Sequence, residues 1–369
     1  MKKNIDEKSA NVKTALALLH KQFGEDAAMT FDDMNIKKVD VIPSGSLKLD
    51  RVLGIGGWPR GRVSLIWGDY SSGKSTICIQ ACANAQKMGL TVAYIDMEHA
   101  FDPIYAEALG CNMKELIFMQ PDSGEQALEA IKLLAINKAA DLIILDSIVA
   151  CVPASELEGE LADLNIGRQA KLFSSFFKQV TPALQISNCA LLCTNQVRQC
   201  PGKYGDASVL PCGQAQTFMA SIIARTRRQL SQKETDKDGE TIANQISVTI
   251  EKNKLAPPFR KAELMIYYGK GFSADNEMFD LAVDFGLIEK AGAWFSYNNE
   301  KIGQGAVKAK QWINEHSDIK ELLMNKVQEI LMKPANEKAK ETTLETDETG
   351  AKYDLETGEV FEENENTEK

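Results

Sequence analysis

Long apolar runs are missing from this 369-residue sequence. No stretch approaches the roughly 18 residues that span a bilayer, so no membrane helix is expected. The basic opening Met1-Lys2-Lys3 is followed by Asp6, Glu7 and Lys8, where the apolar part of a secretory signal would begin, so a cytoplasmic protein is expected. Histidine is scarce, and His20, His99 and His316 are too scattered to form a metal cluster. Eight cysteines occur, at 78, 82, 111, 151, 189, 193, 200 and 212, without one C-x-x-C pair. Most lie in apolar runs as ordinary small buried side chains, which disfavours a zinc site or disulfide framework and fits a reducing compartment.

Positive charge is also in deficit, with a formal net charge of −10. Taken over the whole chain this looks wrong for a nucleic-acid binder. The acid is concentrated, however: residues 341–369 hold eleven Asp and Glu against two Lys. The remainder is close to neutral and has room for local basic surfaces. Hydrophobic content of 44% and charged content of 25% are those of a globular protein, and the length predicts a large core with a smaller appendage.

What is present is a complete phosphate-binding loop. Gly68-Asp69-Tyr70-Ser71-Ser72-Gly73-Lys74-Ser75-Thr76 follows the pattern G-x-x-x-x-G-K-[ST]. The apolar run 62–67 before it reads as a buried strand, and the small apolar residues 77–86 after it as a helix packed on a sheet. In that context the backbone N–H groups cradle phosphates at a helix N-terminus. Lys74 then reaches the β- and γ-phosphates of a nucleoside triphosphate, and the Ser75 hydroxyl sits on Mg²⁺. Gly54-Ile55-Gly56-Gly57 has the start of a dinucleotide fingerprint, but the third glycine is absent and a strand follows, so it reads as a turn.

Strand-like runs at 62–67, 91–96, 116–119, 141–146, 189–194 and 221–226 alternate with helical stretches such as 124–138 and 166–185. Near-continuous apolar strands between helices predict an α/β fold with a parallel sheet buried on both faces. Residues 245–252 and 262–268 read as an antiparallel extension. After Gly271 the pattern predicts a small second domain with short helices around Trp294, Trp312 and Leu322–Leu331. Residues 8–23 carry one apolar stripe, Val12, Leu16, Leu19 and Phe23, too isolated to form its own core. Beyond Pro334 the chain is polar and acidic and reads as disordered, with a brief hairpin or docking motif over Tyr353–Phe361, turning at Thr357-Gly358, as the alternative. The expected divisions are 1–36, 37–271, 272–333 and 334–369.

Strand 141–146 ends in Asp146, the position from which a carboxylate holds Mg²⁺ through water, or caps the next turn. Glu98 lies just past the end of strand 91–96, at the edge where ligands bind in open α/β sheets. It is a candidate to orient or deprotonate an attacking water, with a solvated loop glutamate as the alternative. Asn195-Gln196 reaches the same edge, where a neutral amide feels the γ-phosphate and moves when it leaves. The Pro- and Gly-rich segment 197–213 carries Arg198, Lys203 and Tyr204, the cation and aromatic mix that suits single-stranded nucleic acid; a plain surface loop is the alternative.

Several strings, in order over roughly residues 10–330, resemble the RecA recombinases. They are Ser44-Gly-Ser-Leu-Lys-Leu-Asp50, the phosphate loop, Ile95-Asp-Met-Glu-His-Ala-Phe-Asp-Pro-Ile-Tyr105 and Gln120-Pro-Asp-Ser-Gly-Glu-Gln-Ala-Leu128. Asp146-Ser147, Glu156-Leu-Glu-Gly-Glu160, Asn195-Gln-Val-Arg198, Lys252-Asn-Lys254, Glu289-Lys-Ala-Gly-Ala-Trp294 and Lys301-Ile-Gly-Gln-Gly305 follow. The resemblance implies a RecA-type P-loop ATPase core, an N-terminal polymerisation helix and a small α+β C-terminal domain. It implies ATP and Mg²⁺ as cofactors, and a DNA-dependent ATPase that forms a helical filament on single-stranded DNA and exchanges strands with homologous duplex DNA. The roles implied are recombination, DNA repair and the SOS response, with an SOS repressor and mediator or loader proteins as candidate partners. A DNA-coating filament with a regulatory, co-protease-like or structural role stands as the alternative.

Matched residue by residue, Glu98 is the catalytic glutamate, Lys74 and Ser75 bind phosphate and Mg²⁺, and Gln196 is the γ-phosphate sensor. Asp102, Tyr105 and Tyr268 match residues at adenine, and Lys252 and Lys254 match lysines that reach the nucleotide of a neighbouring protomer. Phe218 matches a subunit-interface position. Loop one spans about 156–165, with Glu156 and Gly159. Loop two spans about 197–214, with Arg198, Lys203, Tyr204 and Gly213. Lys171 and Lys178 lie beside the loops. Asp69-Tyr70 and Ser75 depart from the family's usual Pro-Glu and Thr. Loop two departs most: it is one residue shorter, lacks the usual glutamate and threonines, and has Cys212 in place of a glycine. The resemblance also implies an acidic tail that restrains DNA binding, with competition against phosphate for basic surface as the mechanism. Deleting residues 341–369 is therefore expected to strengthen duplex DNA binding at moderate salt, read by fluorescence anisotropy; unchanged affinity would remove the tail from that role.

Overall fold

The structure is a computed structural model that describes residues 2–24, 28–29, 38–157, 167–199, 208–235, 238–332, 344–346, 352–354 and 360–361. The chain divides into two compact units, Met1–Asp40 and Val41–Lys369. The first holds one long helix, α1 (Lys2–Phe23). Its apolar stripe is poorly covered, with Val12 51% and Phe23 65% exposed.

The second unit is built on a nine-stranded sheet. In chain order its strands are β1 (Val63–Gly68), β2 (Val92–Asp96), β3 (Ile117–Met119), β4 (Leu142–Asp146), β5 (Ala190–Gln196), β6 (Ile222–Thr235), β7 (Thr241–Asn253), β8 (Lys261–Tyr267) and β9 (Gly271–Phe272). The spatial order is β9-β8-β7-β6-β1-β5-β4-β2-β3. From β6 to β3 every pairing is parallel, and from β6 outward to β9 every pairing is antiparallel. This is the mostly parallel sheet with an antiparallel extension that the apolar runs predicted. The sixth strand is longer than expected because it continues as one arm of a hairpin, with Gly239 at φ +84° in the connection to β7.

Helices cover both faces. After α2 (Leu47–Leu53), helix α3 (Lys74–Lys87) packs Ile77, Cys78, Ala81 and Cys82 against one side of the sheet. Past the short α4 (Pro103–Ala108), α5 (Gly124–Ile136) and α6 (Arg168–Ser187) cover the other side with Leu128, Ile131, Phe173, Phe177 and Val180. Phe173 and Phe177 are fully buried, and truncating either to Ala would cost about 3–5 kcal/mol. Capping fixes the helix starts: Ser46, Ser123 and Ser273 each accept a backbone N–H three residues on.

Beyond the short α7 (Ala215–Met219) and the sheet, α8 (Ala274–Asp284) opens the C-terminal part. There α8, α9 (Ala306–Glu315) and α10 (Ser317–Met332) pack on a three-stranded antiparallel sheet, β10 (Glu289–Ala291), β11 (Trp294–Tyr297) and β12 (Glu300–Gln304). The sequence pattern predicts a short helix around Trp294, which instead begins a strand. Gly292 at φ +60° and the Asn298-Asn299 pair at φ +49° and +64° make the two tight turns, and hairpins rather than helices result. In the acidic tail, expected to be disordered, Leu344–Thr346, Lys352–Asp354 and Val360–Phe361 pair as small antiparallel strands. Strand pairing replaces the disordered reading at those residues, and between Lys352–Asp354 and Val360–Phe361 it is the pairing of the hairpin alternative.

A buried polar knot joins α2 to α8. Ser44 N–H donates to Asp50 at 2.9 Å, and the Ser46 hydroxyl donates to Glu277 at 2.8 Å. Lys48–Asp280 and Arg51–Asp284 ion pairs flank it on the surface. Burial pushes the Asp50 carboxyl up to about 7, with the nearby Glu277 adding, and burial pushes Glu277 up to about 7 as well. Raised carboxyl values favour the protonated, folded state. The contribution is complete below about pH 4 and is lost as pH rises towards 7, at roughly 1.4 kcal/mol per pH unit for each proton. The melting temperature is thus expected to fall between about pH 4 and pH 7, and Asp50→Asn, which cannot ionise, is expected to flatten that fall. Parallel melting curves for the two proteins would show that Asp50 does not titrate there.

Candidate active site

The parallel register brings the strand ends into line: Gly68 pairs with Thr226 and Gln196, and Asp96 with Asp146. Four candidate segments therefore share one edge of the sheet. Gly68 has no space for a side chain, since a Cβ there would meet the Thr226 carbonyl oxygen at 2.1 Å. Gly73, at φ +84°, turns the loop into α3, and a Cβ there would strike Ile266. Ser72 Oγ lies 2.7 Å from the Asp69 carbonyl and 2.6 Å from Thr226 Oγ1, which ties the loop to β6. Ser71 takes a positive φ, and Tyr70 stands 83% exposed at the loop's crest. Lys74 Nζ donates to the Gly68 and Asp69 carbonyls at 3.1 and 2.7 Å. Burial pulls its pKa down, opposed by the Asp146, Glu98 and Asp69 carboxylates.

Asp146 ends the fully buried β4. It accepts three hydroxyls: Ser75 at 2.9 Å, Tyr94 at 2.7 Å and Thr194 at 2.5 Å. Burial, then the Asp146 charge, pushes the Tyr94 phenol far up, so it stays a donor. Tyr94 and Thr194 escaped sequence reading, because each looks like one more member of an apolar strand; the polar tip inside the run was the only signal.

Glu98 sits on the turn after β2. Asp96 shapes that turn by accepting the Glu98, Phe101 and Gln120 N–H groups at 3.2, 3.1 and 3.0 Å. Glu98 Oε1 accepts both the Ser147 hydroxyl at 2.5 Å and the Gln196 amide at 2.9 Å. The two residues drawn from separate strand ends thus touch. Ser147, immediately after Asp146, holds the glutamate in place.

Around this centre, Asp102 caps α4 by accepting Ile104 and Tyr105 N–H, and Tyr105 Oη reaches Thr76 Oγ1 at 3.1 Å. Tyr268, half-exposed, bonds Asn244 past the end of β8. Lys252 and Lys254 lie apart from this centre. Lys252 pairs with Ile223, at the start of the parallel run, whereas the phosphate loop adjoins Thr226 at its far end. Both lysines bond the Phe218 carbonyl, at 3.1 and 3.2 Å, and Phe218 itself is 67% exposed.

Of the candidate DNA-contacting residues, Lys171 and Lys178 project from one exposed face of α6, around a shallow hollow with Ser174, Ser175 and Gln179. Arg198 is exposed on a two-residue strand paired with Ser208–Val209, and Glu156 lies in the short helix Ala154–Leu157. Gly213, at φ +83°, presses against Ala170. Gly159, Lys203 and Tyr204 lie outside the described residues.

A phosphate loop on a buried strand, a carboxylate on a neighbouring strand end and a glutamate beside both define a P-loop ATPase on an α/β core. Residues 10–273 match the RecA N-terminal domain and residues 276–332 the RecA C-terminal domain. The chain is 44% identical over 316 residues to Protein RecA of Oceanobacillus iheyensis, covering 85% of this chain and 90% of that protein. It is 44% identical over 325 residues to Protein RecA of Thermus aquaticus, covering 88% and 95%. Among solved structures it is similar to a crystal structure of the RadB recombinase, at TM-score 0.48 and 21% identity over 63% of this chain and 98% of that one. The chain belongs to the RecA family, as a bacterial-type member. It is an ATP-dependent recombination and repair protein, a DNA-dependent ATPase that binds nucleotide and DNA and forms filaments. Among the described residues no helix is long and apolar enough to cross a membrane.

Loss of a buried hydrogen bond to a charged group costs about 1–3 kcal/mol. Thr194→Val, which keeps the shape and removes one donor to Asp146, is therefore expected to raise the KM for ATP by roughly tenfold. An unchanged KM would separate Asp146 from nucleotide binding.

Proposed function

We propose that the edge formed by Gly68–Thr76, Glu98, Asp146 and Gln196 hydrolyses ATP to ADP and phosphate while the protein coats single-stranded DNA and pairs it with homologous duplex. The observation that carries this reading is the contact of Glu98 with Gln196 and Ser147, next to the Ser75–Asp146 pair. Backbone N–H groups of residues 69–76 and the N-terminus of α3 hold the phosphates. Lys74 leaves its two carbonyls to pair with the β- and γ-phosphates. Both donors to Glu98 fall on Oε1, which leaves Oε2 to accept the proton of the attacking water. Gln196, already bonded to that carboxylate, is the group placed to exchange it for a γ-phosphate oxygen.

Ser75 and Asp146 suit a hard cation. Among the described residues no cluster of three His, Cys, Asp or Glu is arranged to hold a metal alone, so the donor set fits Mg²⁺ completed by phosphate oxygens and water. When bound, Mg²⁺ neutralises charge on the phosphate oxygens. Asp102, Tyr105 and Tyr268 border the position for adenine.

Lys252 and Lys254 are assigned to the nucleotide of a neighbouring protomer, because the register sets them at the opposite edge from their own phosphate loop. The exposed stripe of α1 serves as the polymerisation arm, and Phe218 as an interface residue. Glu156, Gly159, Lys171, Lys178, Arg198, Lys203, Tyr204 and Gly213 form the DNA-contacting set. The cytoplasm is the site of action, with an SOS repressor and mediator or loader proteins as further partners.

Lys74→Ala is expected to abolish nucleotide-dependent DNA binding. Glu98→Gln is expected to preserve that binding and slow turnover by about a hundredfold or more, measured in a DNA-stimulated ATPase assay. Normal turnover in Glu98→Gln would sink the water-activating role.

A further inference from the structure

Two glutamines that hydrolysis leaves without a task hold the C-terminal root of loop two. The root itself is tightly bent and packed: Cys212 has φ +67°, Gly213 has φ +83°, and a Cβ on Gly213 would meet the Ala170 Cβ at 2.8 Å. The Cys212 thiol donates to Gln169 Oε1 at 3.2 Å. From the other end of the same side chain, Gln169 Nε2 donates to the carbonyls of Ile148, Val149 and Cys151 at 3.2, 3.1 and 3.0 Å. Those carbonyls form the turn that follows Asp146-Ser147, and Ser147 bonds Glu98.

A second route leaves the same root. Gln216 Nε2 donates to the Pro211 carbonyl and, at 3.1 Å, to that of Gly213. Its Oε1 accepts the Asn195 amide at 2.9 Å, and Asn195 Oδ1 accepts the Gln196 backbone N–H at 2.9 Å. Gln196 in turn bonds Glu98. Both Asn195 and Gln216 are buried. The two routes start within residues 211–213 and finish on one oxygen, Glu98 Oε1.

We propose that Gln169 and Gln216 are positioning residues that relay the position of the loop-two root to the Glu98 carboxylate. The relay rests on the reading of loop two as DNA-contacting. Its physical basis is the two-ended amide. Each glutamine uses its oxygen and its nitrogen on different segments, so a shift of the root cannot keep both ends satisfied without moving the far segment. Leaving a buried end unpaired is costly, which makes the arrangement two-state rather than continuously deformable. Cys212 takes part as a neutral thiol, since burial pushes it up to about 11.

The full-length protein tests this with an ATPase assay, with and without a single-stranded oligonucleotide, alongside oligonucleotide affinity and melting temperature. Gln169→Leu and Cys212→Ala are each expected to cut the stimulation of kcat by DNA about tenfold, with the KM for ATP and the DNA affinity held within about twofold. Cys212→Ser, which restores a donor, is expected to restore stimulation. The double variant should be no worse than either single one, the mark of a shared contact. Unchanged stimulation in both single variants overturns the relay, as does a loss matched by an equal loss of DNA affinity. Absence of stimulation in the unaltered chain overturns the loop reading itself and the relay with it.

Discussion

A carboxylate at the end of a fully buried strand sets most of what surrounds it here. Asp146 closes β4, a strand buried at all five positions and paired in parallel on both sides, and its charge is satisfied by side chains. Three hydroxyls do so, each from a different element: Ser75 from α3, Tyr94 from β2 and Thr194 from β5. The carboxylate thereby fixes the phosphate loop, the strand leading to Glu98 and the strand leading to Gln196 relative to one another. A shift in any of the three would leave a buried charge short of a donor. Preorganisation of this edge of the sheet follows from that single constraint.

Lys74 completes the balance of charge. Its ammonium donates to the Gly68 and Asp69 carbonyls, and burial lowers its pKa against three nearby carboxylates. Such a group gains more from a triphosphate than an exposed lysine would, because its desolvation is already present before the ligand arrives. The site thus suits an anion carrying several charges, and under the proposed function the acidic residues at its rim act on water and metal rather than on phosphate.

Much of this was legible in the sequence. The phosphate loop, Asp146, Glu98 and Gln196 all announce themselves as polar residues at the ends of apolar runs, and strand ends in a parallel sheet meet at one edge. Family resemblance then supplied the reaction. Less legible was what holds these groups. Tyr94 and Thr194 sit inside strands whose other residues are apolar, and Gln169 and Gln216 look like solvent-facing helix residues until the loops they bridge are folded against them. Nothing in spacing reveals a hydrogen bond between segments some forty residues apart. Trp294 went astray for a local reason: paired turn residues outweighed the helical look of the flanking sequence.

Under the proposed shared site, Lys252 and Lys254 tie the register to the assembly. Their ammonium groups lie against carbonyls at the C-terminal end of α7, where a helix favours positive charge. Burial, followed by crowding against the Lys254 charge, lowers the Lys252 pKa. That helix follows directly on the root of loop two. A lysine drawn away to a phosphate on a neighbouring protomer would surrender its bonds to Thr217 and Phe218, at the interface residue Phe218 itself. Under the proposed shared site, therefore, the same cations that bridge protomers also restrain the segment behind the DNA-contacting loop. Assembly and loop position would then be two readings of one set of hydrogen bonds.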